Sequence, residues 1–118
     1  MKDDLCQTWL PLIQDREQLL GKITVRKMAQ IFVDEIGDLI RQCEESLKDQ
    51  NFTLAQRTAH QIAGHSGALD FIALCERAQT LEKCCRDEAT KIDPSIISML
   101  TQDARCAEKL LKGRYTLS

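Results

Sequence analysis

The chain has 118 residues, of which 43% are apolar and only 4% aromatic, and its formal net charge is −2. This size suits one domain, residues 1–118, with a core of aliphatic side chains, Ala, Met and Cys, and the apolar content excludes a disordered chain. No basic stripe and no apolar run of about 20 residues is present, so the sequence predicts neither nucleic-acid binding nor direct membrane contact.

The six cysteines form no C-x-x-C pair, and most of them fall on apolar helical positions. This pattern is typical of buried thiols in a reducing compartment. No signal peptide opens the sequence. We therefore expect a cytoplasmic protein or a cytoplasmic part of a larger one.

The first half of the chain reads as helices, because apolar residues recur at steps of three and four. The segment at about 4–20 contains Pro11 and is predicted to form one or two short helices at one end of the fold. A long helix is predicted at about 24–48. Its apolar stripe consists of Met28, Phe32, Ile36, Leu39, Cys43 and Leu47.

The second half predicts three further helices. One runs from 51 or 53 to about 66, with Thr53 and Gln56 resembling a capping box. The next starts near Asp70, taken as its N-cap, and is followed by a polar loop at 87–91. The last has Asp93 as N-cap, Pro94 at its first position and Gly113 as its stop. Four amphipathic helices with short connections predict an all-α antiparallel four-helix bundle, preceded by the short N-terminal helices.

His60 is the most informative residue, because small residues share its helical face. Ala63, Gly64 and Gly67 follow it by three, four and seven positions. His60 comes one residue after the predicted core position Ala59, which places it at the border of the core. Glycine inside a helix costs about 1 kcal/mol relative to Ala. The glycines therefore either mark a surface that a partner approaches closely or only the end of the helix.

Other chemistries fit this segment less well. His60 and His65 are five residues apart, about 140° around a helix, whereas zinc-binding pairs on helices are four apart. No G-x-S-x-G elbow, P-loop or dinucleotide motif is present. A neutral imidazole keeps one ring nitrogen that can attack phosphorus, and a carboxylate from a neighbouring helix would fix its tautomer. Phosphoryl chemistry on His60 is thus the favoured interpretation.

Residues 59–67, followed by Leu69 and then by residues 78–82, resemble histidine-containing phosphotransfer (HPt) domains. The family pattern is approximately A-H-x-L-K-G-S-[SA]-[GA]-x-x-G, with a Leu-Glu or Leu-Gln pair further along. His60 falls on the phosphoacceptor position, and Leu81 with Glu82 falls on the second element. The other matching positions are Ile62, Gly64, Ser66 and Gly67. The resemblance covers about residues 24–111, and the predicted core of the domain is 24–112.

The resemblance implies a phosphorelay component that accepts a phosphoryl group on His60 from a receiver aspartate and passes it to a response regulator. Glu82 would either orient the imidazole or be a solvent-facing acid in a capping or ion-pair role. The receiver domain would dock on the face around Gln56, Arg57, Ala63, Gly64 and Gly67. No cofactor of its own is implied, because the receiver brings the Mg²⁺. The domain would be a phosphocarrier rather than a stand-alone enzyme, either free-standing or the C-terminal domain of a hybrid sensor histidine kinase.

Three positions depart from the family pattern. Ala63 stands where the family usually has a Lys that holds the phosphoryl group, His65 where Ser is common, and Asp70 where Gly is common. Arg57, one turn before His60, is either a replacement cation or an ordinary solvated residue, and the second interpretation is favoured. The loss of the Lys keeps a second function open, a helical adaptor that binds a receiver without phosphotransfer. A metal-binding bundle is the third.

Overall fold

The computed structural model describes residues 2–87 and 92–117, with side chains from residue 8 onward, and these residues form five α-helices and no strand. The helices are α1 (Lys2–Leu20), α2 (Lys22–Lys48), α3 (Phe52–Ala68), α4 (Ile72–Arg86) and α5 (Pro94–Arg114). Helices α2 to α5 form the bundle, in which α2 and α4 each pack against both α3 and α5. The predicted all-α bundle is therefore confirmed. Of the predicted loop at 87–91, residues 88–91 lie outside the described residues.

The core is built from the apolar stripes that the periodicity predicts. Each of the four bundle helices directs its apolar stripe into the core. Partly buried apolar residues pack against the edges of this core. The fully buried members include Phe32, Ile36, Cys43, Ala55, Ala59, Ile62, Phe71, Leu74, Ala78, Leu81, Leu100, Ala107 and Leu111. Burial of these side chains fixes the rotation of every helix about its axis, and so decides which residues face solvent.

Helix α1 is one continuous helix of 19 residues, longer than the one or two short helices expected. Pro11 lies inside it on the exposed side. A proline inside a helix costs about 3 kcal/mol. Trp9 and Ile13 flank it and are 2% and 0% exposed, and burial of two such side chains is worth about 1.5–3 kcal/mol each. The packing of Trp9 against Phe71, with ring centroids 4.8 Å apart, holds α1 on the bundle.

Helix starts agree with the sequence in one case and differ in two. Asp93 is the N-cap of α5, accepts a hydrogen bond from Ser95 N at 2.9 Å, and is followed by Pro94, as predicted. The predicted capping box of Thr53 and Gln56 is wrong. The N-cap of α3 is Asn51, whose side chain accepts from the backbone N–H of Leu54 at 3.2 Å.

The turn between α3 and α4 also differs from the prediction. Asp70 is not the N-cap of α4, which begins at Ile72 after Phe71. Asp70 has a left-handed backbone conformation, φ 60°, and its carboxylate accepts a hydrogen bond from Arg16 of α1 at 2.8 Å. Its side chain thus serves a tertiary contact and not the helix start.

The end of α5 lies beyond the predicted stop. Gly113 is inside the helix, which continues to Arg114 and has Tyr115 as its C-cap. Arg114 and Tyr115 both donate hydrogen bonds to Glu17 of α1, and these contacts hold the last turn in place. In the described part of the chain, no helix combines the length and apolar character that a membrane crossing requires.

Candidate functional site

His60 lies in the middle of α3 and points out of the bundle. Ala59 and Ile62 on either side of it are both 0% exposed, so the rotation of α3 is fixed by its buried stripe. The imidazole is 74% exposed as a result. The predicted position at the border of the core is therefore the observed one.

Glu82 of α4 holds one edge of the imidazole. Leu81 is fully buried, and this fixes the rotation of α4 so that its neighbour Glu82 faces α3. Oε2 of Glu82 lies 3.0 Å from Nδ1 of His60. The carboxylate is only 21% exposed, which limits competition from water. A neutral ring that donates its Nδ1 proton to Glu82 keeps the lone pair on Nε2 and directs it to solvent.

The surface next to His60 is open because of Gly64. A Cβ added at Gly64 would meet no atom within 4 Å, so packing does not require glycine there. Gly64 is exposed and lies within α3, four residues before the helix ends at Ala68, so it is not a helix-end signal. Gly67 is half-buried, and a Cβ there would lie 3.5 Å from Sγ of Cys75, an ordinary contact. Gly64 therefore does not mark the end of α3, and its role in close approach by a partner stays a prediction.

The other predicted docking residues surround His60 unequally. Arg57 is exposed and Gln56 is half-buried, one turn before His60 on α3. Ala63 is only 7% exposed, because it belongs to the buried core. It therefore contributes little to the accessible surface. The docking role of these residues stays a prediction.

His65 faces a different neighbour from His60. Its Nε2 lies 2.7 Å from Oε2 of Glu35 on α2, and the two side chains are 29% and 53% exposed. The histidines thus contact opposite sides of α3, as their angular separation of about 140° indicates. The sequence reasoning did not identify Glu35, because a contact between helices depends on their relative position, which periodicity does not give.

The described residues contain no group of three or more His, Cys, Asp or Glu that could hold a metal ion. The cysteines from Cys43 onward are free thiols, and three of them, Cys43, Cys85 and Cys106, are buried. Burial raises the pKa of the Cys85 thiol to about 11, with smaller contributions from the neighbouring Cys43 and Cys84. Such a thiol stays protonated near neutral pH and is a poor nucleophile or ligand.

Comparison with known proteins agrees with the all-helical fold. The family model for the Hpt domain matches residues 27–112, most of the chain. The chain belongs to the Hpt domain family. It also matches the crystal structure of histidine-containing phosphotransfer protein B (HptB) from Pseudomonas aeruginosa PAO1, with a TM-score of 0.78 and 17% sequence identity over 90% of this chain and 94% of that chain. That likeness shows the shared fold. Comparison with curated proteins gives no significant match.

As an Hpt domain, the chain has a histidine phosphotransfer role in a phosphorelay, and domains of this family interact with receiver domains of response regulators. In this Hpt domain the histidine with an exposed ring and a carboxylate partner is His60. The matched residues start after α1, so α1 is outside the family model although it shares the core. The position three residues after His60 carries the uncharged Ala63.

Proposed function

We propose that His60 is the phosphoacceptor of this Hpt domain, taking a phosphoryl group from a receiver aspartyl phosphate and passing it to the aspartate of a response regulator. The observation that carries this proposal is the 3.0 Å contact between Nδ1 of His60 and Glu82, beside the open surface at Gly64. A ring held at Nδ1 presents Nε2 in one direction, and a flat receiver surface can reach it. His65 is less suited, because its Nε2 already contacts Glu35.

The transfer step follows from this arrangement. The lone pair on Nε2 attacks the phosphorus of the receiver's acyl phosphate, the bond from phosphorus to the aspartate oxygen breaks, and the aspartate leaves as a carboxylate. The ring then carries a positive charge, which the Glu82 carboxylate stabilises through the retained Nδ1 proton. Onward transfer reverses these bonds on the second receiver, whose carboxylate attacks the phosphorus while Nε2 leaves with its lone pair.

The domain's own residues bind and orient, while the receiver brings the rest of the chemistry. Phosphoryl transfer needs charge neutralisation around the transferred group. We assign the Mg²⁺ that supplies it to the receiver, as the family resemblance implies. We further propose a cytoplasmic location for this domain, either free-standing or as the last domain of a hybrid sensor kinase.

Transfer from labelled receivers tests the assignment. Purified receiver domains are phosphorylated with radiolabelled acetyl phosphate and mixed with the wild-type protein, His60→Gln and His65→Gln. We expect acid-labile label on the wild type and on His65→Gln, and none on His60→Gln. Label that remains in His60→Gln, or that is lost in His65→Gln alone, would contradict the proposal.

The second candidate is a helical adaptor that binds a receiver without accepting its phosphoryl group. Ala63 favours it, because the chain lacks the family's usual cation at that position. Receiver binding and label uptake, measured on the same samples, distinguish the adaptor from the phosphotransfer domain. An adaptor binds receivers equally well before and after His60→Gln and takes up no label, whereas a phosphotransfer domain takes up label with the same receivers.

A further inference from the structure

A phosphoryl group on Nε2 of His60 needs positive charge near it. The group carries close to two negative charges at neutral pH, and charge-assisted hydrogen bonds stabilise it both when it is bound and during transfer. Ala63 supplies no charge, and its side chain is 7% exposed. Cations that hold the phosphoryl group must therefore come from other positions on the same surface.

Two contacts define how α3 and α4 lie side by side. Glu82 meets His60, and Sγ of Cys75 lies 3.5 Å from the Cβ position of Gly67. Gly67 lies seven residues after His60 in α3, and Cys75 lies seven residues before Glu82 in α4. The helices are therefore antiparallel and keep one register along this surface. One turn further on, residues 56 and 57 of α3 lie level with residue 86 of α4.

An arginine stands on each helix at that level. Arg57 precedes His60 by three residues, about 4.5 Å along the helix axis, and Arg86 follows Glu82 by four, about 6 Å along the axis. Side chains at these spacings share a helical face. Both arginines are exposed, and within the described part of the chain neither forms an ion pair. Other arginines are already engaged, as Arg16 is with Asp70 and Arg114 with Glu17.

We propose that Arg57 and Arg86 together form the site that binds the phosphoryl group on His60, in place of the missing lysine. This inference rests on the proposed function of His60. A guanidinium donates two parallel hydrogen bonds to phosphoryl oxygens, and its long stem spans one helical turn. With one arginine on each helix, the phosphoryl group is held over the groove between α3 and α4, directly above the contact between His60 and Glu82.

Lys83 provides a matched control on the same helix. It is exposed and has the same charge, but it is one residue beyond Glu82 and therefore about 100° around α4, away from α3. Its replacement changes the net charge as much as replacement of Arg86 does. An effect of general electrostatics would appear in both variants, whereas an effect of the phosphoryl site would appear in Arg86→Gln alone.

Phosphoramidate tests the site without any receiver. The phosphorus–nitrogen bond of this donor breaks, ammonia leaves, and the phosphoryl group forms a new bond to Nε2 of His60. We compare the wild type, Arg57→Gln, Arg86→Gln, the double variant and Lys83→Gln, each checked for helix content by circular dichroism. We expect phosphorylation to slow about two- to fivefold in each single arginine variant and about tenfold or more in the double variant, in line with exposed ion pairs. The rate of Lys83→Gln should match the wild type.

Two further measurements distinguish phosphoryl binding from a structural role. In ³¹P NMR, the second ionisation of the phosphohistidine should titrate at higher pH in the double variant, because nearby cations favour the dianion. Adding Ala63→Lys to the double variant should restore the phosphorylation rate, since it places a cation one turn after His60.

The inference fails if the double variant reacts and titrates like the wild type, if the loss equals that of Lys83→Gln, or if only one arginine has an effect. A wild-type protein that takes up no phosphoryl group on His60 contradicts the proposed function itself.

Discussion

The two ring nitrogens of His60 have different surroundings, and this difference gives the imidazole a direction. Nδ1 faces a carboxylate that is mostly shielded from water, and Nε2 faces solvent beside a residue without a side chain. Glu82 therefore orients the ring, while the missing side chain of Gly64 leaves the ring open to approach from solvent. These two effects can be separated by substitution, because neither residue is part of the fully buried core.

Replacement of Glu82 should slow transfer without loss of the fold. Glu82→Gln keeps an oxygen that accepts the Nδ1 proton but removes the charge, and Glu82→Ala removes both. A hydrogen bond to a charged group is worth about 1.5–3 kcal/mol, so we expect Glu82→Ala to lose about tenfold or more in transfer rate and Glu82→Gln to lie between it and the wild type. Glu76→Gln, an exposed acid on the same helix, is the control. Equal rates in all four proteins would show that Glu82 does not position the ring.

Substitution of Gly64 should separate docking from stability. Leucine at this position meets no atom with its Cβ and improves helix propensity by about 0.5–1 kcal/mol, so Gly64→Leu should unfold at higher urea concentration than the wild type. Its side chain then covers the approach to His60, and receiver-dependent transfer should fall at least about tenfold.

Gly37 of α2 is the matched control for this experiment. It is also exposed, and a Cβ there has no neighbour within 4 Å, but it lies away from α3 beside α5. Gly37→Leu should stabilise the protein by a similar amount and leave transfer unchanged. Unchanged transfer in Gly64→Leu would mean that receivers do not use this surface.

At the residue scale, the sequence predicts the exposed position of His60 and the openness beside it, because both follow from one helical period. The family resemblance supplies Glu82, which no spacing within α3 could have indicated. The contacts of His65 with Glu35 and of Arg77 with Asp103 were not predicted. Each joins two helices, and the pairing depends on how far one helix is shifted along the other.

At the scale of the helices, the elements were predicted better than their ends. Periodicity over many residues defines a helix, but a start depends on the backbone conformation of one residue. Asn51 and Thr53 are both suitable N-caps by type, and the structure selects Asn51 because Gln50, with φ 57°, turns the chain just before it. Helix α1 continues through Pro11 because the burial of Trp9 and Ile13 against the bundle outweighs the cost of a proline inside a helix.

The N-cap of α3 gives a direct test at this scale. Asn51→Ala removes the acceptor for the Leu54 N–H and should lower the free energy of unfolding by about 1 kcal/mol, whereas Thr53→Ala should change it by much less. Urea unfolding of the two variants measures the difference. A larger loss in Thr53→Ala would instead support the capping box that the sequence indicates.

At the scale of the whole molecule, α1 is tied to the bundle by apolar and ionic contacts. Trp9 and Ile13 enter the core, while Glu17 accepts hydrogen bonds from Arg114 and Tyr115 at the end of α5. The hydrogen bond from Arg114 is the main cause that lowers the pKa of Glu17 to about 2, with Tyr115 adding to it against the opposing effect of burial. Burial, together with the hydrogen bond that the Tyr115 hydroxyl donates to Glu17, raises the pKa of Tyr115 to about 12, against a smaller opposing effect of Arg114.

The lowered pKa of Glu17 predicts how stability depends on pH. Because the folded state favours the carboxylate, the network stabilises the fold fully above pH 4.5, the ordinary pKa of the group, and this contribution is lost as the pH falls from there toward about 2. Glu17→Gln should therefore cost about 2 kcal/mol at pH 7, allowing for solvent screening, and progressively less between pH 4.5 and pH 3. Urea unfolding followed by Trp9, the chain's single tryptophan, measures this difference, with the exposed Glu45→Gln as control. A cost that is the same at every pH would show that α1 is held by its apolar contacts and not by the charge on Glu17.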